Sequence, residues 1–501
     1  MTQGMLAVNP IFTRGEVSAR IFGSFAEHMG RVIYSGIYEP GHPAADETGC
    51  RSDVLQAVRD MGVTLMRYPG GNFVSNYRWE NGVGPVGERP RQVDLAWRSI
   101  ETNEFGTNEF MRWAAQAGVE PMLTVNLGTR GLTEALEYLE YVNFPGGTPL
   151  SDLRRAHGVR EPYGVKLWCL GNEMDGSWQI GHKDMESYAR LAAETGKAMK
   201  ILDPSIELIA CGSAKSDMPT FPRWDLCVLE HVYGIADYLS LHQYYGGQQQ
   251  GTAAFLAQSE DFESYIATIR SAIAVIRALR RSDKAMYISV DEWGVWAEPP
   301  ESVTQEVDQQ PWQVAPAISE QIYTLEDALL FASMLMTMVR NADIVKIGCQ
   351  SLITNISSCI MTRRGGEMWK QTTYYPFQML ARHARGTVLE VSGTHACYAV
   401  PASPQVPTLD VLAVWNRAEG EVAVFCVNRL DNAPAELSLQ LQGFAPTEVA
   451  EFTTLTGGAK QTNEADHSAV IPRESDAACL RGGVLTASLP PLSFSMIRVN
   501  V

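Results

Sequence analysis

Two short segments carry residue types suited to acid–base and nucleophilic chemistry. Gly171-Asn172-Glu173-Met174-Asp175-Gly176 follows the apolar run Val165–Leu170. Asp291-Glu292-Trp293-Gly294-Val295-Trp296 follows the run Met286–Val290. Each puts a glutamate just past a strand-like stretch. Two carboxylates at the ends of separate strands are what hydrolysis of a glycosidic bond requires. One serves as acid/base and the other as nucleophile or base. A nucleophilic carboxylate must stay ionised and wants hydrogen-bond donors, for which Arg67 and Tyr244 are the candidates. Its acid partner needs a raised pKa, which low polarity and a nearby second carboxylate favour. A lone Asn-Glu at such a place more often caps the next helix. The pairing of two such glutamates turns the reading towards catalysis.

Other polar groups cluster at the ends of strand-like runs. Asn172 offers a donor for a sugar hydroxyl, and Trp168 and Trp178 offer apolar surface suited to sugar rings. Trp293 and Trp296 follow Glu292. In Arg67-Tyr68-Pro69-Gly70-Gly71-Asn72-Phe73 the glycines permit a tight turn with close backbone approach, and Arg67 and Asn72 are donors. A plain strand-to-loop turn explains that segment equally well. It lacks the G-x-x-x-x-G-K-[ST] phosphate-loop pattern. Glu27-His28 suits hydroxyl binding or a surface cap. His242 and Tyr244 are placed to orient a catalytic glutamate. Neither an H-E-x-x-H motif nor a Cys/His ligand spacing is present, so no catalytic metal and no cofactor are expected. A G-x-S-x-G nucleophile elbow is also missing.

The elements that must position these groups recur at even spacing. Apolar runs occur at Arg20–Phe25, Thr64–Tyr68, Met122–Asn126, Lys166–Leu170, Leu208–Cys211, Tyr238–His242, Tyr287–Val290 and Ile344–Ile347. Helix-like stretches separate them, such as Met185 to Leu202 and Phe262 to Arg281. Eight β-then-α units predict an α/β fold, a (β/α)8 TIM barrel over residues 15–385, with its active site at the C-terminal rim of the strands. Glu27-His28, Arg67, Asn126, Asn172-Glu173, His242-Gln243-Tyr244 and Asp291-Glu292 all fall on that rim. After about Arg385 the texture changes to alternating segments, such as Val411–Asn416 and Val422–Val427, separated by turn formers. Residues 386–501 therefore read as an antiparallel β-sandwich domain. The acidic stretch from Glu298 to Pro316 is expected to loop over the barrel mouth.

Bulk properties exclude some partners. The 501 residues are 45% hydrophobic and 19% charged, with a formal net charge of −17. Such a surface repels phosphate backbones and anionic membranes, so neither nucleic acid nor membrane is expected as a partner. No apolar run is long enough to cross a bilayer. Met1–Pro10 does not read as a secretory leader. The nine cysteines are odd in number and scattered, and Cys169, Cys211 and Cys349 lie in strand-like runs as buried thiols. A reducing cytoplasm suits this pattern.

The motifs resemble those of glycoside hydrolase family 51, the intracellular α-L-arabinofuranosidases. The resemblance runs from Phe22–Arg31 through Arg67–Phe73, Lys166–Gly176 and Ser240–Gly246 to Asp291-Glu292-Trp293. It implies a barrel whose β-sandwich partner also takes in residues 1–14, and a retaining two-step mechanism. By motif match Glu173 is the acid/base and Glu292 the nucleophile. Glu27, Arg67, Asn72, Asn172 and Tyr244 contact the furanose, while Trp97, Trp178 and Trp296 shape the subsite. The implied substrate is an arabinose-containing oligosaccharide, and the implied assembly a homo-oligomer, commonly a hexamer. Three positions depart from the pattern. Leu352 stands where the family commonly has a glutamine, with Gln350 nearby but out of register. Gly294 and Gly247 stand where asparagines are usual. These changes remove donors near the sugar and leave open another substrate for the same chemistry: a galactofuranoside, a β-xyloside or an endo-β-glucan.

Overall fold

Eight runs of buried, largely apolar residues pair in parallel and close on themselves in chain order. The structure, a computed structural model, describes residues 5–296, 309–394 and 396–501. The barrel strands are Gly23–Phe25 (β1), Leu65–Tyr68 (β2), Glu120–Val125 (β3), Leu167–Leu170 (β4), Glu207–Cys211 (β5), Tyr238–Tyr245 (β6), Tyr287–Val295 (β7) and Val345–Ser351 (β8). Every run expected from the sequence is one of them. Their side chains are buried almost throughout, because one face fills the barrel and the other meets the helices.

Three strands run further than expected, β8 continuing to Ser351. β6 continues to Tyr245 and β7 to Val295, so Tyr244 and Glu292 lie within strands and not beyond them. The β6–β7 register slips at this point. Leu241 faces Val290, yet His242 faces Glu292, which leaves Asp291 as a bulge. A bulge breaks the strict alternation of side chains between the two faces. Asp291 and Glu292 are both buried as a result.

The opposite mouth is closed by Arg20, just before β1. Its guanidinium donates to Glu120 at 2.6 and 2.7 Å and to Glu207 at 2.8 and 3.1 Å. Those carboxylates open β3 and β5. The helix Met185–Leu202 forms over the expected span, with Asp184 capping its first turn through Ser187 N–H at 2.9 Å. The helix expected from Phe262 begins three residues earlier, at Ser259, where Glu260 and Asp261 suit the first turn.

Two sheets form the C-terminal sandwich. One has seven strands, in the spatial order Thr13–Glu16, Thr387–Leu389, Leu409–Asn416, Glu421–Asn428, Ser493–Asn500, Glu448–Thr456 and Arg473–Glu474. The other orders Ser392–Gly393, Leu6–Val8, Ala435–Leu441, Val484–Leu489 and Ala478–Arg481. Leu6–Val8 pairs parallel to Ala435–Leu441, a departure from the all-antiparallel expectation. The strand comes from the far end of the chain, so no hairpin dictates its direction. Val411, Ala413, Val422 and Val424 point into the core between the sheets. Leu412, Val414, Ala423 and Phe425 point the other way, into the core shared with the barrel. The helix Leu325–Arg340 packs against that second face and is buried at every position from Leu325 to Val339. A helix apolar all round has to be enclosed in this way.

Cys169, Cys211 and Cys349 are buried thiols within strands. Among the described residues no helix is long and apolar enough to cross a membrane. Of the expected loop from Glu298 to Pro316, residues 298–308 lie outside the described residues. Further along, Gln313 bridges to Ser99, and Trp312 N–H donates to Arg98 O at 2.7 Å.

Candidate active site

Four strand ends converge on one buried cluster. Arg67, the third residue of β2, is 1% exposed. Its Nη1 donates to Glu292 Oε1 at 2.7 Å and its Nη2 to Asn172 Oδ1 at 2.7 Å. Tyr244 O–H donates to Glu292 Oε2 at 3.0 Å. Both donors expected to hold an ionised Glu292 are therefore in contact with it. The guanidinium also lies over the Phe25 ring, 4.6 Å from its centre. Asn172 is held from its other end, with Nδ2 donating to Gln179 Oε1 at 3.4 Å. Gln179 in turn donates to Ser75 Oγ at 2.5 Å.

Glu173 sits directly after β4 with a backbone φ of 42°. It does not cap the next helix, which begins at Met185 under Asp184. Glu173 Oε1 accepts from His242 Nδ1 at 2.9 Å, and Oε2 accepts from Trp178 Nε1 at 2.5 Å. His242 also lies 3.6 Å from Glu292 Oε2 through Nδ1 and 3.5 Å from Asp291 Oδ1 through Nε2. Ligand atoms of Glu173, His242 and Glu292 all fall within 4.8 Å of one another. The two glutamate carboxylates thus face each other across one imidazole.

Burial sets the electrostatics, and the neighbouring charges oppose it. Burial disfavours a charged His242, but Glu292, Asp291 and Glu173 outweigh it and raise its pKa to about 10. The ring is an imidazolium that donates from both nitrogens. Burial pushes Asp291 up, yet Arg67 and His242 prevail and hold it below the usual carboxylate range. Burial raises Glu292, with Glu173 adding to the effect and His242 and Arg67 opposing it.

Glu27 closes the other side. Its Oε1 accepts from Phe73 N–H at 2.9 Å and from Trp97 Nε1 at 3.1 Å. Burial, helped by the charge of Glu292, raises its pKa to about 8. Gly71 packs directly over the pair, since a Cβ there would lie 2.5 Å from Glu292 Oε1 and 3.3 Å from Asn172 Nδ2. Only glycine fits so close an approach. Asn72 follows at the start of a short 3-10 helix, half-buried, and its side chain makes no hydrogen bond among the described residues. Trp178 is 46% exposed at the opening. Trp296 is half-buried and meets Tyr244 edge-on, with ring centres 5.6 Å apart.

Several expectations need correction. Trp168 is fully buried, edge-on to Tyr138 and donating to Val165 O, so it presents no surface to a sugar. In a four-residue strand covered on both sides, a large side chain is core. His28 is not a surface cap, and its Nε2 is already taken by the Tyr68 hydroxyl at 3.0 Å. It pairs with Glu101 at 2.9 Å and stacks on Phe73 at 4.8 Å, beneath the Glu27 loop. Asn126 builds the turn after β3, accepting from Gly128 and Thr129 N–H. Asp291, given no separate role by the sequence pattern, touches Ser240 at 2.5 Å and faces both Arg67 and His242. Its acidic type beside Glu292 was the available signal, and the bulge that turns it inward was not legible. Leu352 is buried and offers no donor, and Gln350 is committed to Ser357 O at 2.7 Å. Gly294 leaves room for a Cβ in ordinary contact, with Ser351 O at 3.4 Å and the Tyr244 ring at 4.0 Å.

A closed β/α barrel with paired glutamates at its C-terminal rim defines a barrel-type glycoside hydrolase. Residues 57–265 match the model of the α-L-arabinofuranosidase 1 domain, and residues 291–493 that of the α-L-arabinofuranosidase C-terminal domain. The chain is 44% identical to an intracellular exo-α-(1→5)-L-arabinofuranosidase of Acetivibrio thermocellus over 100% of both chains. It is 46% identical to one of the same name from Halalkalibacterium halodurans, over 99% of this chain and 98% of that one. A solved family 51 α-L-arabinofuranosidase from Bifidobacterium longum superposes with a TM-score of 0.94 at 40% identity, covering 99% of this chain and 100% of that one. The chain belongs to glycoside hydrolase family 51, the α-L-arabinofuranosidases.

Proposed function

We propose that this enzyme releases terminal non-reducing α-L-arabinofuranosyl residues from arabino-oligosaccharides by double displacement. Glu292 attacks the anomeric carbon while Glu173 gives its proton to the departing glycosidic oxygen. The product is a glycosyl ester on Glu292 and a free alcohol. Glu173 then takes a proton from water, the water oxygen bonds to the anomeric carbon, and the ester bond breaks. Glu27, Arg67, Asn72, Asn172 and Tyr244 hold the furanose, with Trp178 and Trp296 flanking it.

The close approach of the two carboxylates, with an oxygen of each within 4.8 Å of the other's, supports this reading. Retaining pairs stand about 5–5.5 Å apart, whereas inverting pairs leave about 6.5–9.5 Å for a water. The hydrogen bonding divides the roles in the same sense. Glu292 is gripped by Arg67 and Tyr244, as a nucleophile should be, and Glu173 lies beside the exposed Trp178 where a leaving group departs. The relatives' names support the exo mode and the intracellular setting, so we place the enzyme in the cytoplasm. A hexameric assembly follows from family likeness, and light scattering on the purified chain reads it.

The test is hydrolysis of p-nitrophenyl α-L-arabinofuranoside against a panel of other aryl glycosides. Glu173→Ala and Glu292→Ala should both abolish turnover of unactivated substrates. Azide should rescue Glu173→Ala as a glycosyl azide. Nuclear magnetic resonance of the first product should show the retained anomer, and the inverted anomer would overturn the mechanism. One observation favours a second reading, a different sugar by the same chemistry. The wall formed by Leu352 and Gly294 supplies no side-chain donor. Preference for another glycoside in the panel, lost in both variants, would select it.

A further inference from the structure

On the outside of the barrel a second group of reactive side chains stands between two helices. Cys227 and His231 are four residues apart on the helix Arg223–Val232 and share one face. Glu186, in the first turn of the helix Met185–Leu202, faces both. Cys227 Sγ lies 3.4 Å from Glu186 Oε1, and His231 Nε2 lies 3.6 Å from Glu186 Oε2. One ligand atom from each residue falls within 4.8 Å of the other two.

The imidazole is already oriented. His231 Nδ1 is 2.9 Å from the carbonyl oxygen of Cys227. A carbonyl only accepts, so Nδ1 carries a proton and the ring is held with Nε2 turned towards Glu186. Imidazole ligands of metal ions are held by the same device. With bonds of about 2.0 Å to nitrogen and oxygen and 2.3 Å to sulfur, the edges of a tetrahedral zinc site are about 3.3–3.6 Å. The three ligand atoms stand within 4.8 Å of one another, so small side-chain rotations bring them to that spacing. The site lies in a negative field, since Glu186, Glu230 and Asp184 all act on the thiol.

The geometry points to a binding site for a borderline-soft divalent cation such as Zn2+, formed by Glu186, Cys227 and His231 with a fourth position open to water. The mixed sulfur, nitrogen and oxygen donors select against Mg2+ and Ca2+, which take oxygen ligands. Without an ion, burial and Glu186 push the Cys227 thiol up to about 11, so it is protonated at neutral pH. Loading breaks the Sγ–H bond. The proton leaves to solvent, the electron pair bonds the metal, and no oxidation state changes. Arg190 pairs with Glu186 at 3.3 Å, but that pair is exposed and yields readily. An ion here ties together the two helices that back β4 and β5. The first of these helices also carries Tyr188, whose hydroxyl donates to Leu170 O and accepts from Cys211 N–H, both at 2.7 Å. The ion therefore braces the scaffold under Glu173.

Titration of the full chain with Co2+ tests the site. One equivalent should give a thiolate-to-cobalt charge-transfer band, displaced by Zn2+, with one proton released per ion in weak buffer. Zn2+ should raise the thermal midpoint. Cys227→Ser and His231→Ala should each abolish the band and weaken binding at least tenfold, with turnover in metal-free buffer unchanged. Cys479→Ser, at another part-buried thiol, should keep the band and the midpoint shift. The inference is overturned if no band forms, if the band survives Cys227→Ser, or if Zn2+ stabilises Cys227→Ser as much as the parent.

Discussion

Lysine at position 67 keeps a positive charge beneath Glu292 but removes the planar fork. In the native enzyme one terminal nitrogen serves Glu292 and the other serves Asn172, each at 2.7 Å. Nε stands 3.7 Å from Asp291. An ammonium at the end of a flexible stem reaches one of these partners at a time. Asp291 and Glu292 together draw it to their side, so Asn172 loses its donor and its Oδ1 is left buried and unpaired. A hydrogen bond involving a charged group is worth about 1.5–3 kcal/mol. If that loss falls on the transition state, kcat/KM drops about 10- to 150-fold. Most of it should appear in kcat, because the arginine acts on the attacking carboxylate and on its neighbour. Steady-state kinetics on p-nitrophenyl α-L-arabinofuranoside, with urea unfolding in parallel, measures both effects. A lysine variant within about threefold of the parent would refute the fork argument. Methionine at 67 is the sharper control. It leaves Asp291 and Glu292 with His242 but without the guanidinium between them and should cost about 3 kcal/mol of stability. Equal unfolding midpoints for the lysine and methionine variants would mean that the charge is not what the site needs.

Three further outcomes follow from the geometry. In Gly71→Ala the new methyl meets Glu292 Oε1 at 2.5 Å, and displacing the attacking oxygen by about 1 Å should lower kcat about 100-fold while the fold survives by circular dichroism. His242 has a folded pKa raised from 6.5 to about 10, so the stability it contributes is complete below 6.5 and is lost as the pH rises through about 10. His242→Gln should therefore be less stable at neutral pH and should lose less on alkaline titration, which urea midpoints at the two pH values will report. Arg20→Ala breaks a two-carboxylate clamp whose side chains are 24–33% exposed, so about 2 kcal/mol of stability should go while kcat stays within experimental error.

Much of the scaffold was legible because its signal is local. A strand covered on both faces has to be apolar along its length, and eight such runs stand out against the helices between them. Glu173, Glu292, Arg67 and Tyr244 were legible for a related reason: a charged or polar residue at the end of an apolar run has no reason to be there unless something uses it. The misjudged residues share a different feature. Trp168 looks the same in sequence whether it faces a cleft or a core, and only the helix carrying Tyr138 decides between them. His28 is polar at a strand end like the others, but Glu101 and Phe73 enclose it.

The chain by itself determined which residues are able to do chemistry and which elements carry them, because residue type and apolar period are properties of neighbours in sequence. Tertiary structure alone decided which of those residues meet. The slip of register between β6 and β7 turns Asp291 inward beside Glu292. Closure of the barrel brings Arg67, Asn172, His242 and Glu292, which lie more than two hundred residues apart at the extremes, within hydrogen-bonding distance of their partners. Burial in that common centre then sets the charge on His242. Register, closure and burial depend on long-range pairing, and no local pattern encodes them.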